Sequence, residues 1–348
     1  MLDESTLTRI LEALPKLSIA VVGDLFLDKY LDLDSRLTET SVETGLDAYQ
    51  VVGVRCYPGA GGTVLNNLRA LGVGNLHAVS VIGSDGEGFE LLRELRERNV
   101  DADGVVVRSD RMTPTYTKPM LSSQATAPAR ELNRIDIKNR VAAKADQDQQ
   151  VIGRLDALVP RVDAVVIADQ VTERNQGVIT DAVRAHLALL AERHPRVVFF
   201  ADSRSHIGLF RNVFAKPNRS ELAAAVEPAG GSGALEEPAP LFEVQAAAQW
   251  LSQRTGRGVF ATVGPDGILY VDRDTACHVP GVPITGPIDI VGAGDSTTAG
   301  IVSALCAGAT PAQAARLGCL LASITIQQIG VTGTSSPEQV LARFREVG

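Results

Sequence analysis

Apolar residues along this chain fall into two rhythms. Short runs rich in Val, Ile and Leu read as buried strands. Stretches with an apolar residue at every third or fourth position read as amphipathic helices. The strand runs fall at 17–23, 76–82, 164–168, 197–202, 213–216 and 258–263. The helical stretches fall at 6–13, 63–71, 87–98, 176–192, 295–307 and 311–328, with Ser5 or Thr6 placed to cap the first. Strand and helix alternate through most of the chain, which is how parallel βαβ units are written. The pattern predicts an α/β fold, a doubly wound and mainly parallel sheet in one domain over residues 1–348.

Two stretches break this rhythm. Residues 29–57 and 113–139 alternate polar and apolar positions with no helix between. A period of two marks half-buried strands, so these segments predict a separate small β sheet, a lid inserted into the main domain. Residues 227–240 (EPAGGSGALEEPAP) predict a surface loop.

Composition narrows the class. With 45% apolar and 21% charged residues over 348 positions, the chain can bury a sizeable core. Its net charge of −8 argues against nucleic acid or an anionic membrane as the main partner. A small anion needs only a local positive site and stays open. No run approaches the ~20 apolar residues of a membrane helix. The acidic N-terminus (MLDESTL) does not read as an export signal, and a cytoplasmic protein is expected. The 4 cysteines and 5 histidines are scattered without metal-ligand spacing.

The segment carrying most chemical information is Asp289-Ile-Val-Gly-Ala-Gly-Asp295. The small residues Gly292, Ala293 and Gly294 precede a predicted helix. They let an anion approach the backbone, where free N–H groups and the positive end of the helix dipole meet it. Asp295 at this mouth is placed to take a proton from a hydroxyl attacking a phosphoryl group; an Asp there also serves simply as an N-cap. Upstream, Asn218 and Glu221 stand three apart at a strand-to-helix turn. An amide oxygen and a carboxylate so spaced can order water around Mg²⁺, and the same spacing writes a capping box. Thr262-Val-Gly264-Pro-Asp-Gly267 is a strand running into a Gly-rich turn. Asp24 and Asp28 follow the first strand, at the sheet edge where open α/β sheets bind ligands.

In order, these segments resemble the ribokinase (PfkB) family of carbohydrate kinases over roughly residues 17–340. The opening Val22-Gly23-Asp24-Leu-Phe-Leu-Asp28, with Thr115-Tyr-Thr-Lys118 and Leu132-Asn-Arg134-Ile-Asp136, looks like the branch that phosphorylates D-glycero-D-manno-heptose 7-phosphate. The resemblance implies a ribokinase-like fold and ATP-dependent transfer of the γ-phosphoryl group to a sugar or sugar-phosphate hydroxyl. It implies Asp295 as catalytic base and the 292–294 amides as an anion hole. Asn218 and Glu221 become the Mg²⁺ and phosphate pair, Thr262, Gly264 and Gly267 the nucleotide turn, and Arg204 of Asp202-Ser-Arg204 a phosphate contact. Asp24, with Asp28, becomes a sugar ligand beside the turn Gly59–Thr63. A monovalent cation (K⁺) near Asp289 and a homodimer through the lid are further family features.

The chain departs from the family pattern at three places. Thr63 stands where the family has a sugar-binding Asn, Ala60 where it has a second Gly, and no Lys follows Asp169. Asn67, one helical turn after Thr63, faces the same way and is the candidate substitute. These departures keep a non-catalytic binding or regulatory protein open as the alternative. A nucleoside kinase ranks lower, because only 4% of residues are aromatic. No Gly-Lys pair exists, so there is no Walker A loop. No GxGxxG follows the first strand, no GxSxG elbow is present, and no H-x-G-H motif marks a nucleotidyltransferase half.

Overall fold

The computed structural model describes residues 2–123, 129–226 and 240–347; most of the predicted loop 227–240 lies outside them. The main sheet runs in the order Ala276–Val279, Ile268–Val271, Val259–Thr262, Phe214–Ala215, Val198–Ser203, Ala164–Asp169, Ser18–Gly23, Asn75–Gly83, Asp101–Arg108. From Val259–Thr262 onward every neighbour is parallel; the first two strands form an antiparallel meander at one edge. Successive side chains of a strand point to opposite faces, and here both faces are covered. Ile19 and Val21 join one apolar cluster, with Leu7, Leu65, Leu91, Ile301, Leu320 and Val340. Ala20 and Val22 join the other, with Val151, Leu187, Leu222 and Leu251. The predicted doubly wound α/β architecture is the observed one.

A second sheet rises from the carboxyl edge of the first. Its strands run in the order Ile135–Ile137, Thr115–Ser122, Leu25–Asp34, Val51–Ala60, with Arg130–Glu131 paired to Thr115–Ser122. Leu25–Asp34 continues the first strand of the main sheet past Asp24 and pairs along its length with both neighbours. The two stretches of alternating pattern supply most of this sheet.

Several element ends differ from the sequence pattern. The first helix is Glu4–Ala13, capped by Asp3, whose carboxylate accepts from the Thr6 N–H at 2.8 Å; Ser5 and Thr6 lie inside it. The helix expected from 176 begins at Asp181 with Thr180 as its cap, because the preceding residues form a loop held from elsewhere in the fold. The last long helix ends at Thr325 rather than 328. Helices Ala145–Leu158, Leu241–Thr255 and Pro337–Val347, and strands Asp101–Arg108, Ile268–Val271 and Ala276–Val279, are additional. Helix Pro337–Val347 meets the first helix through an Arg345–Glu4 ion pair at 2.6 Å. Among the described residues no helix is long and apolar enough to cross a membrane.

Candidate active site

Strand order reverses between Ser18–Gly23 and Ala164–Asp169. A crevice opens outside the carboxyl ends of strands at such a point, and a cavity of about 520 Å³ lies there. The second sheet walls it with Phe26, Asp28, Tyr116 and Lys118; the helix Ala293–Cys306 closes it with Gly292 and Asp295.

The helix start is built by close packing. Gly292 has φ +80°, and a Cβ there would stand 2.7 Å from Thr332 Cγ2. Asp289 ties the approach down, accepting from the Val291 N–H at 3.1 Å and the Gly330 N–H at 3.2 Å. Of the three residues expected to offer amides, Ala293 has its N–H already bonded to Ile290 O at 3.1 Å. Asp295, in the first turn, is no N-cap; that position is Gly292. Burial and the neighbouring Asp202 push the Asp295 carboxyl up to about 7, against the opposing pull of Lys216 and Arg204. A carboxylate near neutrality is well matched to general-base work.

Lys216 is the residue the motifs did not reveal. It is buried, with Nζ 3.0 Å from Asp202 Oδ2, which also accepts from Thr298 Oγ1 at 3.1 Å. A Cβ on Gly294 would lie 3.5 Å from that same Nζ, so the ammonium sits against the helix mouth. Burial works against its charge, but Asp202, Glu221 and Asp295 outweigh it and hold its pKa above the ordinary value. The only sequence signal was a Lys ending a strand run beside Asn218.

Asn218 and Glu221 cap one another. Asn218 N–H donates to Glu221 Oε2 and Glu221 N–H to Asn218 Oδ1, each at 2.8 Å. The capping-box reading is therefore realised, and it aligns the carboxylate beside Lys216 and Asp202. Burial and Asp202 raise the Glu221 pKa although Lys216 opposes them. Thr262 bridges to Asn218 and donates its N–H to Pro217 O at 2.9 Å. Gly264 (φ +64°) and Gly267 (φ +98°) complete the turn. These five residues lie outside the cavity lining, and of them Glu221 shares the field of Lys216 with Asp295.

The opposite wall differs from expectation in detail. Asp24 is only 3% exposed, and its carboxylate accepts three backbone N–H groups: Gln170 at 2.8 Å, Val171 at 2.9 Å and Val178 at 2.8 Å. Asp28 is half-buried and paired with Lys118 at 3.2 Å. Gly59 lies against it, since a Cβ there would stand 2.6 Å from Asp28 Oδ2. Gly61 N–H donates to Asp24 O at 3.0 Å. Thr63 lines the cavity opposite Gly292. Asn67 does not: it is buried beneath, its amide donating to Thr63 O at 3.0 Å, and so cannot substitute for the expected Asn. Ala60 takes φ +53°, a conformation that favours glycine, at the position where the family has one.

Cations gather along the cavity as well. Arg111, Lys118, Arg134, Lys138 and Arg204 all line the cavity. Arg134 and Lys138 lie over the Tyr116 ring, 4.3 and 5.8 Å from its centroid, and Arg204 Nε donates to Gln170 Oε1 at 3.2 Å. Arg111 and Lys138 carried no motif; they come into view only when the second sheet and the 138–141 segment fold over the cleft. Among the described residues no three His, Cys, Asp or Glu side chains converge as a metal site.

Residues 17–339 match the pfkB family carbohydrate kinase. The chain belongs to this family. Curated relatives include the bifunctional protein HldE of Trichlorobacter lovleyi, 28% identical over 98% of this chain and 65% of that protein. The HldE of Geobacter sulfurreducens is 27% identical over 92% and 61%. The chain thus spans less than two thirds of these relatives' length. Among solved structures, phosphofructokinase-2 from Escherichia coli in complex with potassium superposes with a TM-score of 0.69 at 18% identity, covering 95% of this chain and 99% of that one. A nucleoside kinase from Methanocaldococcus jannaschii, an archaeal member of the ribokinase family, gives 0.59 at 17%, covering 94% and 98%. These neighbours share the family's fold.

Proposed function

We propose that this protein transfers the γ-phosphoryl group of ATP to a hydroxyl of a phosphorylated sugar, with a heptose 7-phosphate-like acceptor favoured. The observation that carries the reading is one cavity lined both by Asp295 and by five cationic side chains. Lys118 already answers Asp28, and Arg134 and Lys138 answer Asp136, yet the cluster remains net positive with Arg111 and Arg204, and a phosphate ester supplies counter-charge that a neutral sugar or a nucleoside does not. The HldE relatives support the same substrate class.

Asp295 accepts the proton of the attacking hydroxyl. Gly292 and Gly294 bring the backbone close to the charge that spreads over the transferring group, and buried Lys216 adds a fixed cation there. Glu221, a hard oxygen donor held by Asn218, fits Mg²⁺, which would neutralise the nucleotide phosphates when bound. Thr262, Gly264 and Gly267 present the turn for the nucleotide. Asp28 and Thr63 face the acceptor, and Arg134, Lys138 and Arg204 orient its phosphate. The family resemblance puts a monovalent cation near Asp289, whose own oxygens accept the Val291 and Gly330 N–H groups. The strand Val51–Ala60 forms an edge with Val51, Val52 and Val54 exposed, which supports pairing with a second copy.

The test is ADP release from ATP·Mg²⁺ across heptose 7-phosphate, hexose phosphates, free sugars and nucleosides. Release with a phosphorylated sugar and loss in Asp295→Asn are expected. Activity confined to nucleosides, or none with ATP bound, would overturn the reading in favour of a nucleoside kinase or a non-catalytic binding protein.

A further inference from the structure

The loop 170–178 forms one side of the cavity, contributing Gln170, Val171, Thr172, Glu173, Gln176 and Val178. It carries no regular secondary structure, and is held from both polarities. Its N–H groups at 170, 171 and 178 converge on the Asp24 carboxylate. Its carbonyl at Gln176 accepts from the Arg111 guanidinium, which also donates to Val141 O at 2.9 Å. Gly177 packs on the same carboxylate: a Cβ there would stand 2.7 Å from Asp24 Oδ1 and 3.1 Å from Oδ2.

We propose that Asp24 is a positioning residue, whose carboxylate, with Arg111 and Gly177, sets the 170–178 loop as a wall of the acceptor pocket, and that it does not bind the acceptor itself. This rests on the reading of the cavity as a sugar-phosphate site. Asp24 stands at the cavity wall but is only 3% exposed, and both its carboxylate oxygens accept backbone N–H groups, which leaves little surface for a ligand. Burial and the nearby Asp169 push the Asp24 carboxyl up to about 6, with the three N–H groups opposing, so holding it ionised at neutral pH works against fold stability. A carboxylate buried at such a cost is matched by what it arranges. What it arranges includes Gln170, whose side chain holds Arg204.

The experiment uses Asp24→Asn, Gly177→Ala and the double variant. An amide nitrogen at position 24 faces the loop's N–H donors with a donor of its own. A Cβ at 177 displaces the same carboxylate without altering it. Hydrogen exchange of the 170–178 amides should speed up by at least about tenfold in both single variants. Acceptor KM should rise at least about tenfold in both, with KM for ATP within about twofold. The double variant should be no worse than the weaker single, because both act through one loop. Unchanged loop exchange in Asp24→Asn overturns the proposal. So does a KM defect in Asp24→Asn with Gly177→Ala at wild-type values, which would make Asp24 a direct ligand. If the wild type phosphorylates no sugar phosphate, the exchange readout still decides the loop, and only the function assigned to the cavity fails.

Discussion

Lys216 Nζ lies 3.0 Å from Asp202 Oδ2, a buried ion pair set behind the mouth of the helix that carries Asp295. The pair sets a fixed positive charge against the helix mouth, and Lys216 holds down the pKa of the Asp295 carboxyl that burial and Asp202 push up.

Lys216→Met should cost about 3–5 kcal/mol, because Asp202 is left as an uncompensated buried charge. It should also move the acid limb of the activity profile upward, since Lys216 lowers the Asp295 pKa. Urea denaturation and kcat/KM against pH check the two effects. The double variant Lys216→Met, Asp202→Asn should regain stability but not activity.

Asp295→Asn should lower turnover by at least about a hundredfold with an unchanged circular dichroism spectrum. In the wild type, kcat/KM should fall as pH drops through about 7, because the raised pKa protonates the base there. An acid limb near 4 would show that Asp295 is not the titrating group.

Arg134→Ala and Lys138→Ala should each raise KM for a phosphorylated acceptor by about tenfold or more, the worth of a charged hydrogen bond. KM for ATP should stay within about twofold. An equal effect on both substrates would move these cations off the acceptor side.

Ala60→Gly should stabilise the protein, by about 1 kcal/mol, by relieving a non-glycine residue at φ +53°. Gly292→Ala should do the opposite and abolish turnover, since its Cβ meets Thr332 at a φ of +80°. Urea midpoints and ADP release read both.

The main sheet was legible because parallel strands buried on two faces are written as continuous apolar runs. Asp101–Arg108 escaped because its first half is partly exposed and polar on an edge. The helix mouth at Asp295 was legible because small residues, a carboxylate and a helix start are consecutive. Lys216 and Asp24 were not, for one reason. Their meaning lies in partners distant along the chain: Asp202 and Asp295 for one, the 170–178 backbone for the other. Asn67 shows the converse, a residue in helical register with Thr63 that the packing turns inward.

The Glu4–Arg345 contact joins helix Glu4–Ala13 to helix Pro337–Val347, and neither helix contributes to the cavity. A covalent tie in place of that ion pair would close a loop spanning nearly all of the fold. Loop closure removes freedom from the unfolded chain alone, so the tied form should resist heat better while the cleft stays as it is.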